Sequence, residues 1–257
     1  MTIVAERYIA AENLSEAWLD VVRFMSAVPG RKAVHLLVRI SDPQIEDLPI
    51  RSEAEELIEA WNRAHPKKQM QAIETTRNTM FPAAFARRTA GPADLARYYR
   101  ERYGKDGLRG FELNERGIYF GRLVAYPRSE SEYADQLSDT VRKLQQELNT
   151  GSNKSSRYEL NVYNERLDRS PMSFPCLAHL SVHLHERKLH VQAIYRNEYL
   201  VARAYGNYLG LSQLQAYIAD SVNVAPGELL VTAGHIEMDG SRSAVLAMLK
   251  RLEGRGT

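Results

Sequence analysis

The chain has 257 residues, with 34 basic and 32 acidic side chains, a formal net charge of +2 and a single cysteine. One cysteine excludes an internal disulfide framework and the cysteine-rich zinc and iron–sulfur classes of protein. The nearly balanced charge does not indicate binding to duplex nucleic acid. No apolar run reaches the ~20 residues of a membrane helix, and Glu6 and Arg7 interrupt any signal-peptide core, so we expect a cytoplasmic protein with no membrane segment.

Amphipathic periodicity along the chain predicts several helices. In the first, Trp18, Val21 and Met25 fall on one stripe with Val22 beside them, and Pro29 follows the segment. The predicted helices span residues 15–27, 51–64, 93–103, 132–148, 210–222 and 242–252.

Short β-branched and apolar runs between turn residues indicate strands. The predicted strands span residues 33–40, 159–163, 176–185, 189–195 and 228–233. The runs 176–185 and 189–195 are separated by Glu186, Arg187 and Lys188, which predicts a hairpin. Together the elements predict an α/β fold, an α+β-like mixed sheet flanked by helices, and one domain over residues 1–257.

Cys176 stands at the mouth of a predicted strand, directly after Pro175. A lone cysteine usually packs as a small apolar side chain. At a strand mouth, however, the thiol can face a pocket, and a nearby cation lowers a thiol pKa and makes the thiolate a nucleophile. Arg196 lies one hairpin away, so a structural role and a nucleophilic role are both open at this point.

Residues 175–207 resemble the region of thymidylate synthases and deoxycytidylate hydroxymethylases that holds the nucleophilic cysteine, the phosphate-binding arginine and the base-reading asparagine. Arg196 lies 20 positions after Cys176 and Asn207 lies 11 after Arg196, which is the family's spacing without a gap. Further blocks resemble the family in order: Phe81-Pro82, Arg87-Arg88, residues 117–121, Ala125-Tyr126-Pro127, Ser156-Arg157 and Pro226-Gly227-Glu228. The resemblance runs from Phe81 to the C-terminus.

Residues 1–80 form a divergent N-terminal segment of this thymidylate-synthase-like domain. The family's Arg-Thr-Gly phosphate loop has no clear counterpart there, and Arg31 and Arg77 are its candidates; both also fit ordinary surface arginines.

The resemblance implies one role for each matching residue. Cys176 is implied as the nucleophile that adds to C6 of a pyrimidine, and Arg196 and Arg157 as phosphate clamps, with Arg157 reaching the site of the second subunit of a homodimer. Asn207 is implied as the reader of the base and His235 as a contact to the sugar hydroxyl. An asparagine offers an acceptor and a donor to the uracil edge, whereas an aspartate suits cytosine, so Asn207 favours a uridylate-type pyrimidine mononucleotide.

The implied activity is transfer of a one-carbon unit to C5 of that nucleotide, with methylenetetrahydrofolate as donor. Asp94 is the candidate general acid or base, with Glu101 as an alternative, although an acid in a first helical turn is also favoured by the helix dipole. Asn197 and Tyr199 stand where the family has a serine and the aspartate that engages the pterin. The exact nucleotide, dUMP, UMP, dCMP or CMP, stays open, as does a methyl or a hydroxymethyl product.

Three further readings compete with this enzyme. The chain could be a catalytically inactive nucleotide-binding homologue. His183, His185 and His190 could approach a metal ion, although polar side chains on such a hairpin also fit a structural or interface role. A surface for nucleic acid is the third, weaker reading, because its residues also fit a helix that covers a core edge: Tyr98, Tyr99, Tyr103, Arg97, Arg100 and Arg102.

Overall fold

The structure is a computed structural model that describes residues 7–103, 119–129, 131–151, 158–169 and 175–254. The helices are α1 (Leu14–Ala27), α2 (Leu48–Ala64), α3 (Ile73–Met80), α4 (Ala83–Ala86), α5 (Pro92–Tyr103), α6 (Tyr119–Val124), α7 (Gln136–Thr150), α8 (Tyr205–Ser221) and α9 (Arg242–Glu253). The strands are β1 (Tyr8–Asn13), β2 (Lys32–Asp42), β3 (Tyr126–Pro127), β4 (Tyr133–Ala134), β5 (Tyr158–Asn161), β6 (Leu177–His185), β7 (Lys188–Tyr195), β8 (Glu198–Tyr199) and β9 (Ala225–Glu237). A π-helix, Leu200–Ala204, precedes α8.

Within the described residues, seven strands form one mixed sheet in the order β1-β2-β9-β7-β6-β5, with β8 beside β9. β1 pairs with β2 and β8 with β9 in parallel, whereas β2 with β9 and β5 with β6 are antiparallel. Helices flank this sheet, so the predicted α/β class with a mixed sheet is confirmed. Among the described helices, none has the length and apolar character that a membrane span requires.

Capping side chains account for two boundaries that differ from the predicted ones. α2 begins at Leu48 because the Asp47 carboxylate accepts a hydrogen bond from Ile50 N at 3.0 Å. α7 begins only at Gln136, where Asp135 accepts from Ser138 N. The four residues predicted to start that helix instead include β4, which pairs with β3.

The predicted hairpin is present, with a tighter turn than expected. β7 begins at Lys188, so only Glu186 and Arg187 connect it to β6. Both have positive φ, 47° and 55°, as a two-residue turn of type I′ requires.

Contacts divide the chain into two compact units, and the first comprises Met1–Arg77, Ile194–Ser212 and Glu228–Thr257. In this unit α1 packs against β1 and β2. The predicted stripe of α1 is confirmed, because its four residues are fully buried: Trp18, Val21, Val22 and Met25. β2 buries one face, with Leu36, Val38 and Ile40 in the core.

The second unit comprises Asn78–Ala193 and Gln213–Gly227. Its core is aromatic: the Phe120 ring lies 4.9 Å from Tyr99 and 5.8 Å from Phe81, edge to face in both cases. β6 alternates between buried residues, such as Leu180 and Val182, and partly exposed ones. The single domain over residues 1–257, with residues 1–80 as its divergent N-terminal segment, stays a prediction.

Candidate functional site

Cys176 lies in the bend that leads into β6, where the sequence predicted it. The residue is half-buried, and its neighbour Leu177 is fully buried. Part of Cys176 therefore reaches solvent, whereas a purely structural cysteine is usually enclosed. This exposure is compatible with the nucleophilic interpretation.

Three of the predicted binding residues, Arg196, Asn207 and His235, belong to the first unit. Arg196 is exposed directly after β7, and its carbonyl oxygen accepts a hydrogen bond from His235 N at 3.1 Å. Asn207 lies in the first turn of α8 and is 3% exposed. Together with two intervening polar residues they form what we call the β8 cluster: Arg196, Asn197, Glu198, Asn207 and His235.

The ring of His235 has a defined orientation. Its Nδ1 lies 2.5 Å from Asn197 Oδ1. Because an amide oxygen only accepts hydrogen bonds, Nδ1 is the donor, and in the neutral ring Nε2 is then an acceptor. His235 can therefore receive a hydrogen bond from a ligand hydroxyl, which is the role implied for it.

Glu198 is the member of the cluster that sequence analysis missed. It is 1% exposed, and its carboxyl accepts hydrogen bonds from Tyr208, at 3.2 Å, and from the Asn207 side chain. Burial raises the pKa of Glu198 to about 8, and these two hydrogen bonds oppose that rise only in part. Nothing in the local sequence separates Glu198 from the chain's many exposed acids.

The π-helix that joins β8 to α8 is held through the backbone of its first three residues. Asp239 accepts hydrogen bonds from Val201 N at 2.7 Å and from Ala202 N. Trp18 Nε1 donates to Leu200 O at 3.0 Å. π-helical segments are rare and frequent at functional sites, and this one sets the start of the helix that carries Asn207.

Close packing of α3 against α8 fixes the position of Asn207 further. A Cβ on Gly206 would lie 2.7 Å from Thr76 Cβ and 2.9 Å from Ile73 O, so only glycine fits this approach. Arg203 adds a hydrogen bond to Gln71. The base-reading candidate therefore sits on a rigid element.

Asp94, the candidate general acid or base, has local partners in the first turn of α5. Its carboxylate accepts from Ala90 N at 3.1 Å and pairs with Arg97. The backbone hydrogen bond from Ala90, followed by the contact with Arg97, lowers the pKa of Asp94. This geometry is that of a helix cap, and the catalytic role stays a prediction, as does that of Arg157, which lies outside the described residues.

The residues at the implied pterin position do not fit a folate. Asn197 is bound to His235, and Tyr199 is 42% exposed and carries no carboxylate. The adjacent carboxyl of Glu198 is buried against Asn207 and Tyr208. Methylenetetrahydrofolate therefore stays an expectation from the resemblance, and we derive no step through it.

The two candidates for a phosphate loop have different surroundings. Arg77 is paired with Glu74 at 2.5 Å. Arg31 donates to Gly240 O at 3.0 Å and lines a cavity of about 360 Å³ together with Ser26 and Arg242. A cavity with two arginines suits an anion better than an arginine already paired with a glutamate does.

The metal-site and nucleic-acid interpretations gain no support from the described residues. Within the described residues, no group of three or more side chains could hold a metal ion. On β6, His179 instead bonds to Asn161 and Glu159 of β5, as expected for polar side chains that satisfy one another. On α5, Tyr99 is 2% exposed and packs on Phe120, so it covers the core instead of offering a stacking surface.

Comparison of the chain with protein-family models and with curated proteins finds no match. The case for function therefore rests on the residues themselves: the β8 cluster in the first unit, and Cys176 in the second.

Proposed function

We propose that the protein transfers a one-carbon unit to C5 of a uridylate-type pyrimidine mononucleotide through a covalent adduct with Cys176. One observation carries the proposal: Arg196 and His235 are joined through the backbone and through Asn197, although they were assigned separately to phosphate and sugar. Arg196 is exposed and supplies a guanidinium for a phosphate, and Nε2 of His235 supplies an acceptor for a sugar hydroxyl.

Asn207 supplies the third contact. Its side-chain oxygen is buried and has no hydrogen-bond partner among the described residues. A buried acceptor without a partner is unfavourable by about 1–3 kcal/mol, and a ligand N–H group removes that penalty. The N3–H group of uracil is such a donor.

The chemistry requires a nucleophile, because C5 of a pyrimidine is itself a poor one. The Cys176 thiolate forms a bond to C6, and the electron pair of the C5–C6 double bond moves toward C5 and the O4 carbonyl as an enolate. C5 can then bond to an electrophilic carbon and afterwards lose its proton to a base. Expulsion of the thiolate restores the double bond and the enzyme.

We also propose a homodimer, in which Arg157 of each subunit completes the phosphate site of the other. Two-fold symmetry makes such an exchange reciprocal. The proposed localisation is the cytoplasm.

The test is release of tritium from uridylates labelled at C5. Addition of Cys176 to C6 and reversal exchanges the C5 proton, so dUMP or UMP should lose label without a known one-carbon donor. Cys176→Ser should abolish release while it leaves nucleotide affinity, measured by calorimetry, within about threefold. A serine variant as active as the parent overturns the mechanism.

A second candidate is a nucleotide-binding homologue without catalysis, favoured by the missing carboxylate at Tyr199. Nucleotide affinity without any tritium release by the parent chain would favour this candidate. A thermal-shift panel of dUMP, UMP, dCMP, CMP and dTMP, with and without methylenetetrahydrofolate, identifies the ligand, because a ligand that binds only the folded state raises its stability.

A further inference from the structure

Glu198 and Asn207 form a buried acid–amide pair. They are 1% and 3% exposed, and the Asn207 side chain hydrogen-bonds to the Glu198 carboxyl. The Tyr208 hydroxyl donates to Glu198 Oε2. Two atoms of the pair, Glu198 Oε1 and Asn207 Oδ1, have no hydrogen-bond partner in the described part of the chain.

Donors and acceptors follow from this pattern. Because Asn207 Oδ1 has no partner, its bond to Glu198 runs from Nδ2, the donor end of the amide. On Glu198, Oε2 receives the Tyr208 hydroxyl, whereas Oε1 has no partner among the described residues. An ionised Glu198 leaves two buried acceptors without a partner, its own Oε1 and Asn207 Oδ1, whereas a proton on Oε1 converts one of them into a donor.

Among the described residues, the groups that act on the Glu198 carboxyl supply no compensating charge. From α8 they are the Tyr208 hydroxyl and the Asn207 amide. On β9, Ile236 lies opposite Glu198. The titratable neighbours of Ile236 have their own partners: His235 bonds to Asn197, and Glu237 pairs with Lys32 at 3.2 Å.

We propose that Glu198 is a positioning residue that acts as a neutral carboxylic acid, holding Nδ2 of Asn207 so that Oδ1 is presented to an N–H donor of the nucleotide base. The inference rests on the proposed function, which assigns the base to Asn207. Loss of the Glu198 proton places a negative charge beside that acceptor and near the carbonyl oxygens of the base. Nucleotide affinity therefore falls when Glu198 ionises.

The raised pKa of Glu198, about 8, gives the range in which to look. The dissociation constant of the uridylate chosen by the thermal-shift panel is measured by calorimetry from pH 6.5 to 9.5 for the parent chain and for Glu198→Gln. Glutamine keeps both an acceptor and a donor but does not titrate, so it mimics the neutral acid. We expect the parent to lose about tenfold in affinity relative to Glu198→Gln across this range, the effect of one hydrogen bond.

Tyr208→Phe is the sharper companion variant. The Tyr208 hydrogen bond lowers the pKa of Glu198, so its removal should move the midpoint of the affinity loss to higher pH. A generally loosened fold would not move a midpoint in that direction. Infrared spectra add a readout without ligand: a protonated-carboxyl band that disappears as the pH rises and is absent in Glu198→Gln.

Each outcome decides the proposal. The proposal is supported if the nucleotide affinity of the parent falls with rising pH, if Glu198→Gln shows no such fall, and if Tyr208→Phe moves its midpoint to higher pH. Affinities of the parent and Glu198→Gln that change in parallel with pH overturn the proposal but leave the proposed function standing. Ionisation of the nucleotide base affects both proteins equally and so cancels in this comparison. Absence of nucleotide binding by every variant at every pH overturns the proposed function and the positioning role with it.

Discussion

Two buried carboxyls, one in each unit, have opposite electrostatic surroundings. Asp168 is 4% exposed and lies 2.8 Å from the Arg122 guanidinium, while its second oxygen accepts from Asn164 N at 2.7 Å. Glu198 is equally buried but faces an amide and a hydroxyl. Removing a charge from water is strongly unfavourable unless a partner compensates it, so the charge of Asp168 is compensated by Arg122 whereas burial favours the neutral form of Glu198. Asp168 is therefore suited to a structural role, whereas Glu198 is suited to the proposed role in which its ionisation changes ligand affinity.

Breaking the compensated pair should have the largest effect. Asp168→Ala leaves the Arg122 guanidinium buried without its carboxylate, and we expect the free energy of unfolding to fall by about 3–5 kcal/mol. Urea denaturation at pH 7 measures this loss. Asp20→Ala is the matched control, because Asp20 and Arg23 lie at the same 2.8 Å but are exposed. The control should lose less than about 1 kcal/mol, and equal losses would contradict the role of burial.

The uncompensated acid should show itself in the pH dependence of stability. The pKa of Glu198 is raised from 4.5 to about 8 in the fold, so its contribution is fully present below pH 4.5 and is lost as pH rises through 8. Relative to Glu198→Gln, the parent should lose on the order of 4 kcal/mol over that window. Urea denaturation of both proteins from pH 5 to 9 tests this. A difference that stays constant with pH would contradict a neutral Glu198.

The sequence predicted features with a local or periodic signal and missed those created by tertiary packing. The α1 stripe and the β6–β7 hairpin are confirmed, since periodicity and turn residues encode them directly. β1 was missed because it lies at the sheet edge, where its residues alternate only between half-buried and exposed. Weak alternation of that kind is hard to distinguish from a loop.

The same distinction holds for the site. The resemblance to thymidylate synthases implied Arg196 and Asn207 as site residues. It gave no sign of Glu198, whose burial depends on the π-helix and on α8. Trp18, a residue of α1, holds that π-helix through Leu200 O, far away in the chain. The buried environment of Glu198 exists only after folding. In the sequence, therefore, Glu198 cannot be distinguished from a surface glutamate.

Arg196→Ala should affect the ligand more than the fold. Arg196 is exposed, so we expect little change in unfolding, while loss of a bidentate phosphate contact should weaken nucleotide binding by about 1.5–3 kcal/mol. Calorimetry with the ligand selected by thermal shift measures the change, and the nucleoside without phosphate should bind parent and variant alike. Arg142→Ala, an exposed arginine paired with Asp139 on α7, serves as the control. An equal loss for the nucleoside would place Arg196 away from the phosphate.

Asp94→Asn should have the smallest effect, and it decides between a cap and a catalytic acid. A general acid or base works best with a pKa near the operating pH, whereas the hydrogen bond from Ala90 N and the contact with Arg97 lower the pKa of Asp94. The stabilisation from this carboxylate is present near neutral pH and is lost as pH falls through its lowered pKa. Asparagine keeps an oxygen for Ala90 N, so we expect a slight fall in Tm and unchanged tritium release. Release reduced to the level of Cys176→Ser in a folded variant would instead assign the proton transfer at C5 to Asp94.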